Sequence, residues 1–270
     1  TRKDPRLIPV ILPLLAEAEH GTEASDTLSA FGSEALKHLI PYLEVHCMEG
    51  AFAGADLVPR ILARIGDADA LPVLLHATYT ASDPKVQGEA LKAYARMVES
   101  QSLSKSQRKD IGQLVKSEID AARSHRSRYL AVDGLPDTEI LMIALRDEYR
   151  RRLENVFLLL GLMTPDVDMV SLAASLEVES QRANALEVID NVVKGPVKTD
   201  LLSLVEASST SKGSTLSNEI PALLVQESAD WVLVGALHAA ANSSVEEAKG
   251  PLTSFLAHRT PVVRETALHA

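Results

Sequence analysis

The sequence predicts an all-α chain, arranged as a right-handed α-solenoid of stacked helix pairs with an irregular central insertion. Three observations carry this prediction. Leu and Ala fill 74 of the 270 positions, against 34 for Val and Ile together and 4% aromatics. Leu and Ala are strong helix formers, whereas β-branched and aromatic residues favour strands. Apolar residues also recur at helical spacing almost throughout, and no run of strict alternation flanked by turn signals marks a hairpin. Finally, a short pattern ending in a small residue and Leu returns along the chain, as expected for repeated supersecondary units.

The elements follow in order. Leu7, Ile11, Leu14 and Leu15 share one helical face, as do Val86, Ala90, Ala93, Tyr94 and Met97. Helices are expected over 34–44 and 68–77, then from Pro84, over about 105–123 and about 137–162, and over 166–177 and 245–258. Asp83-Pro84, Thr164-Pro165 and Thr260-Pro261 each set a capping side chain before a proline that fits the first helical turn. Ser104 with Gln107, and Ser244 with Glu247, have capping-box spacing. Gly32, Gly66, Gly134 and Gly161 follow apolar stretches and read as helix stops. The stretch from Ala207 to Asn218 is rich in Ser, Thr, Lys and Gly and reads as an exposed loop.

The recurring pattern is Asp83-Pro84-Lys85-Val86-x-x-x-Ala90-Leu91, again Thr260-Pro261-Val262-Val263-Arg264-x-x-Ala267-Leu268, and Asp230-Trp231-Val232-x-x-x-Ala236-Leu237. Looser copies are Arg182-x-x-Ala185-Leu186, Val58-Pro59-Arg60-Ile61-Leu62-Ala63 and Ala24-x-x-x-Leu28. Each copy is expected to follow another amphipathic helix, so the unit is a helix pair that must stack on its neighbours to bury an apolar face. This pattern resembles the second helix of HEAT repeats, and the resemblance spans most of the chain. It implies one HEAT-like solenoid over 1–270, with N-terminal repeats at 1–100, an irregular helical segment at 101–163 and C-terminal repeats at 164–270. The family's Arg is present at Arg182 and Arg264, and at Arg60 in a looser copy; Gln87 and Leu233 replace it elsewhere, which predicts a less regular stack.

A narrower resemblance rests on Val58 to Gly66 with Leu71-Pro72-Val73-Leu74-Leu75, on Arg150 to Leu162, and on Arg182 to Asn191. These segments resemble the HEAT-repeat region that follows the membrane domain of bacterial ATP/ADP-translocase-like proteins. That implies a cytoplasmic, transporter-associated piece lying at a membrane face. The chain begins at Thr1 and stops at Ala270 within a helical pattern, so we read it as a fragment of a longer protein.

Charge is uneven. The whole chain carries −10, which opposes general nucleic-acid binding. Residues 105–152 nevertheless carry a net +3, leaving −13 on the remainder. Arg123, Arg126, Arg128, Arg146, Arg150 and Arg151 form the candidate interaction patch within this segment. Guanidinium groups bind carboxylate and phosphate through paired hydrogen bonds, so an anionic lipid, nucleotide or acidic partner fits. The opposing reading is a solvated face paired with Asp147, Glu148 and Glu154, worth little individually.

Motifs for chemistry are absent: there is no Gly-x-Ser-x-Gly, Gly-x-Gly-x-x-Gly, P-loop or His-Glu-x-x-His. His38, His46 and Cys47 are of metal-ligating type but too few for a zinc site. The single cysteine forms no internal disulfide, in keeping with a reducing compartment. No apolar run approaches the ~20 residues of a membrane span. The lone Trp231 sits within the repeat pattern, which favours packing over binding. The expectation is a non-catalytic protein-interaction scaffold or regulatory domain, without cofactor, metal or catalytic residues. Its partners are other proteins, with a membrane domain in the same full-length chain a further candidate. Alternatives are an enzyme on the same solenoid, of the DNA-glycosylase or tetrapyrrole-lyase type, and an adaptor for anionic lipid.

Overall fold

The computed structural model describes residues 4–17, 19–49, 54–81, 83–99, 103–206, 220, 222–224, 229–242, 250–258 and 260–270, with backbone alone for 46–49, 99, 250 and 251. Among these residues every regular element is helical and no strand occurs. The chain divides into two compact units, 1–103 and 104–270.

In the first unit, residues 5–16 alternate 3-10 and α turns around Pro5, Pro9 and Pro13, with α1 at Ile8–Ile11. Proline removes a helix donor at each of these points, so the four-residue apolar face expected there is broken and Leu7 is exposed. Five helices follow: α2 (Gly21–Ala30), α3 (Ser33–Glu49), α4 (Leu57–Ile65), α5 (Leu71–Thr80) and α6 (Pro84–Glu99). Helices α2, α4 and α6 pack as one row, and α3 and α5 pack beside each other in a second. Leu28, Leu39, Leu43, Ile61, Leu62 and Leu74 are wholly buried between them. Val86, Ala90, Ala93, Tyr94 and Met97 all face this core, as their spacing predicts. Two ion pairs cross the first row: Arg64 to Asp26 at 2.6 Å and Arg60 to Glu89 at 2.7 Å. Gly66 ends α4 in the left-handed region at φ 72°, where its N–H meets the Leu62 carbonyl. Gly54, at φ 82°, lies against the Leu15 carbonyl, which a Cβ there would meet at 1.9 Å.

The second unit is built on two long helices, α7 (Lys105–Val132) and α8 (Glu139–Met163). They form an antiparallel hairpin through a tight connection. Ser104 and Gln107 make the expected reciprocal capping box. At the far end Thr138 is buried, and its hydroxyl donates to the carbonyls of Val132 (3.0 Å) and Leu135 (2.8 Å). Helix α7 therefore runs well past 123, and the arginines expected at its end lie inside it. Gly161 is likewise within α8 rather than at a stop.

Then come α9 (Met169–Leu176), α10 (Glu179–Val192), α11 (Pro196–Glu206), α12 (Asp230–Asn242), a 3-10 segment at Gly250–Ala257 and α13 (Pro261–His269). Pro165 starts no helix. Asp168 caps α9 instead, its carboxylate accepting from the Ser171 amide and hydroxyl. Those bonds hold the Asp168 carboxyl below the usual carboxylate range. Helices α8, α12 and α13 share a core containing Leu141, Leu145, Val232, Leu237 and Val263. At its centre Gly235 lets α12 press onto α8; a Cβ there would fall 2.5 Å from the Leu141 Cα. The Ser244–Glu247 box and the 207–218 loop lie outside the described residues.

The recurring small residues are buried as the pattern demands: Ala90, Ala185, Ala236 and Ala267. Three positions earlier, at 87, 182 and 264, side chains share a job. Arg182 and Arg264 each donate to the carbonyl six residues back, Leu176 at 2.9 Å and His258 at 2.7 Å. Gln87 does the same to Ala81 at 2.8 Å. The side chain clasps the start of its helix to the end of the segment before it. Gln87 makes this contact without a charge. Leu233, at the same register, cannot donate and is buried instead.

Candidate functional site

The arginine-rich segment maps onto the α7–α8 hairpin, where packing decides each side chain's fate. Arg123 donates to Asp120 one turn back (2.9 Å) and to Asp200 on α11 (3.2 Å). Arg150 reaches Glu177 just beyond α9, at 3.2 Å. Arg151 grips Glu148 with both Nε and Nη2, the shortest contact being 2.6 Å. Arg126 and Arg128 are half-buried, and neither is a free cation. Arg146 is half-buried too, with its Nε left without a hydrogen bond among the described residues. Of the six expected arginines, Arg123, Arg150 and Arg151 are thus paired with carboxylates of this chain. Arg123 ties α7 to α11 and Arg150 ties α8 to the residue after α9, whereas Arg151 pairs within α8.

The deepest polar group in this hairpin was not among the expected residues. Glu118 of α7 is 8% exposed. It accepts from Arg152 at 2.9 Å and from buried Asn155 at 3.1 Å, both on α8. A buried carboxylate requires such partners, because leaving water carries a penalty of several kcal/mol per ion. The pair lies 34 residues apart in sequence, so no local spacing reveals it. Near the α8 midpoint, Tyr149 stands among Arg126, Glu177 and Arg182. Burial raises its phenol above the ordinary value, with Arg126 pulling it down, Glu177 pushing it up and Arg182 pulling it down.

Trp231 reverses its expectation. It lies in the first turn of α12, whose Val232, Leu233, Val234, Ala236 and Leu237 are all buried, yet it is 64% exposed. Beside it the Asp230 carboxylate accepts from the Thr260 hydroxyl at 3.1 Å, which joins the starts of α12 and α13. The indole is therefore displayed from a well-anchored helix end.

No three His, Cys, Asp or Glu side chains converge on a metal position among the described residues; the side chains of His46 and Cys47 lie outside them. No described helix is long and apolar enough to cross a membrane. Compared with known proteins, the chain matches no protein-family model, no curated protein and no solved structure.

Proposed function

We propose that the chain is a non-catalytic protein-interaction scaffold or regulatory domain, with Trp231 at the centre of its recognition surface. The observation that carries this reading is the exposure of the only tryptophan, which lies with His238 and Asn242 on the solvent-facing side of a helix whose other face is buried in the core. Leaving such a side chain in water forgoes roughly 1.5–3 kcal/mol of burial. Tryptophan is also over-represented among residues that dominate binding energy at interfaces. The arginines of α7 and α8 are a weaker choice, since Arg123, Arg150 and Arg151 already satisfy carboxylates of the same chain.

The two-row packing of α2 to α6 and the clasp shared by residues 87, 182 and 264 support a HEAT-like solenoid built from helix pairs. On that architecture a partner protein lies along the stack. The cytoplasmic, transporter-associated placement belongs to the same proposal and rests on the sequence resemblance.

The test is a Trp231→Ala variant. Partners co-purified with the wild-type chain are reconstituted from pure components and titrated against both proteins. Loss of a central tryptophan should weaken binding by about 30-fold or more, equivalent to ~2 kcal/mol. Far-UV circular dichroism should stay unchanged. A reconstituted partner that binds the variant within about twofold of the wild type would refute the assignment. So would the failure of every co-purified partner to rebind.

A further inference from the structure

A cleft of about 330 Å³ opens in the second unit where α7, the end of α8 and the α10–α11 connection meet. Its walls are aliphatic: Val115 from α7, Leu160 and Met163 from α8, and Val192 and Val197 from the ends of α10 and α11. Thr164 offers no free donor, because its hydroxyl already donates to the Leu160 carbonyl at 2.7 Å. The one charged group on the lining is Lys194, exposed just past α10. No described carboxylate lies within 4.0 Å of its ammonium, whereas Lys198 nearby is paired with Asp190 at 2.7 Å.

Gly112 forms part of the same wall. It sits inside α7, where glycine costs about 1 kcal/mol relative to alanine. Neither of the usual structural reasons applies. Its φ is not positive, and a Cβ added there meets nothing within 4 Å. Gly235, by contrast, is pressed against Leu141. The missing side chain at 112 thus enlarges a space that no described atom of this chain fills.

We propose that this cleft binds a free aliphatic monocarboxylate of about eight carbons, its chain lying across Gly112 and its carboxylate meeting Lys194. The size follows from volume. At ~30 Å³ per water-sized atom, 330 Å³ holds about ten non-hydrogen atoms, the number in octanoate. The volume also lies within the range of small-molecule sites. The head-group follows from charge: one unpaired cation on an apolar rim selects a single negative charge. This site is separate from the Trp231 surface, and its fate does not depend on the scaffold reading.

The experiment is isothermal titration of the full 270-residue chain with straight-chain carboxylates from butanoate to dodecanoate. Each added CH₂ should tighten binding about fourfold until the cleft is full near eight carbons, after which affinity levels off. Octanol should bind about two- to fivefold more weakly than octanoate, the worth of an exposed ion pair. Gly112→Leu should abolish octanoate binding while raising the unfolding midpoint, since leucine is the better helix former. Lys194→Glu, on an exposed side chain, should lose octanoate and gain octylammonium. The proposal is overturned by absence of binding at ~5 mM octanoate, by equal affinity for octanol, or by Lys194→Glu retaining octanoate. Wild-type affinity in folded Gly112→Leu would overturn it as well.

Discussion

Replacing Glu118 with alanine strips two donors of their acceptor at once. Arg152 has only 16% of its side chain exposed, its Nε already lacks a partner, and Asn155 is buried. Breaking one side of a buried pair costs ~3–5 kcal/mol, because the remaining charge stays desolvated. We take the lower end, ~3 kcal/mol, since the guanidinium keeps some contact with water. For a unit of this size each kcal/mol lowers the midpoint by ~2–4 °C, giving a fall of ~6–12 °C. Thermal and urea unfolding followed by far-UV circular dichroism measure this directly. Arg152→Met should lose a similar amount by leaving Glu118 without its cation. The double variant Glu118→Leu with Arg152→Met should return to within ~2 kcal/mol of wild type, because an apolar pair of similar volume needs no charge balance. A loss below ~1 kcal/mol for Glu118→Ala is the range of surface pairs and would show that this carboxylate remains hydrated. Additive single losses in the double variant would equally refute the coupling.

Gly235→Ala should destabilise the second unit by ~1–3 kcal/mol through overpacking against the Leu141 backbone, read as a lower urea midpoint. Gln87→Leu should remove ~1 kcal/mol by leaving the Ala81 carbonyl without its donor, whereas Gln87→Arg should be nearly neutral; equal losses would contradict the clasp. Tyr149 has a folded-state pKa raised by burial above that of the unfolded chain. Its contribution is fully present below about pH 10 and is lost as pH rises through the folded value. Tyr149→Phe should therefore flatten the alkaline limb of a stability–pH curve, and an unchanged limb would dismiss the effect.

The helical class, the buried alanines at 90, 185, 236 and 267, and the Ser104–Gln107 box were all legible in the sequence, because each depends on residues within a turn or two. Pro165 misled, since Asp168 three residues on offered the better cap. Gly161 misled because a glycine within α8 needs no left-handed backbone. Gln87 was undervalued because the clasp requires reach and a donor, not charge, so amide and guanidinium are interchangeable there. The candidate site was least legible. Arg123 pairs with Asp200 and Arg152 with Glu118 across 77 and 34 residues. Those distances are settled by helix packing, which composition and local spacing do not encode. Trp231 lies in the repeat register, yet the matching positions Pro84 and Pro261 are half-buried and exposed, so the register itself leaves this side of the helix start uncovered.

The α7–α8 hairpin also carries a consequence for how the chain acquires its structure. Two helices of 28 and 25 residues are joined by a short turn, so their mutual contacts close a small loop of chain. Contacts of low sequence separation form fast, since little closure entropy opposes them. The hairpin is the natural nucleus of the second unit, with α12 and α13 docking afterwards onto the Leu141 face. Amides around Ala122 to Val132 and Ala144 to Leu153, in the half of the hairpin nearer the turn, should accordingly be among the slowest to exchange with deuterium. Substitutions there should slow refolding, whereas changes in α13 should mainly speed unfolding.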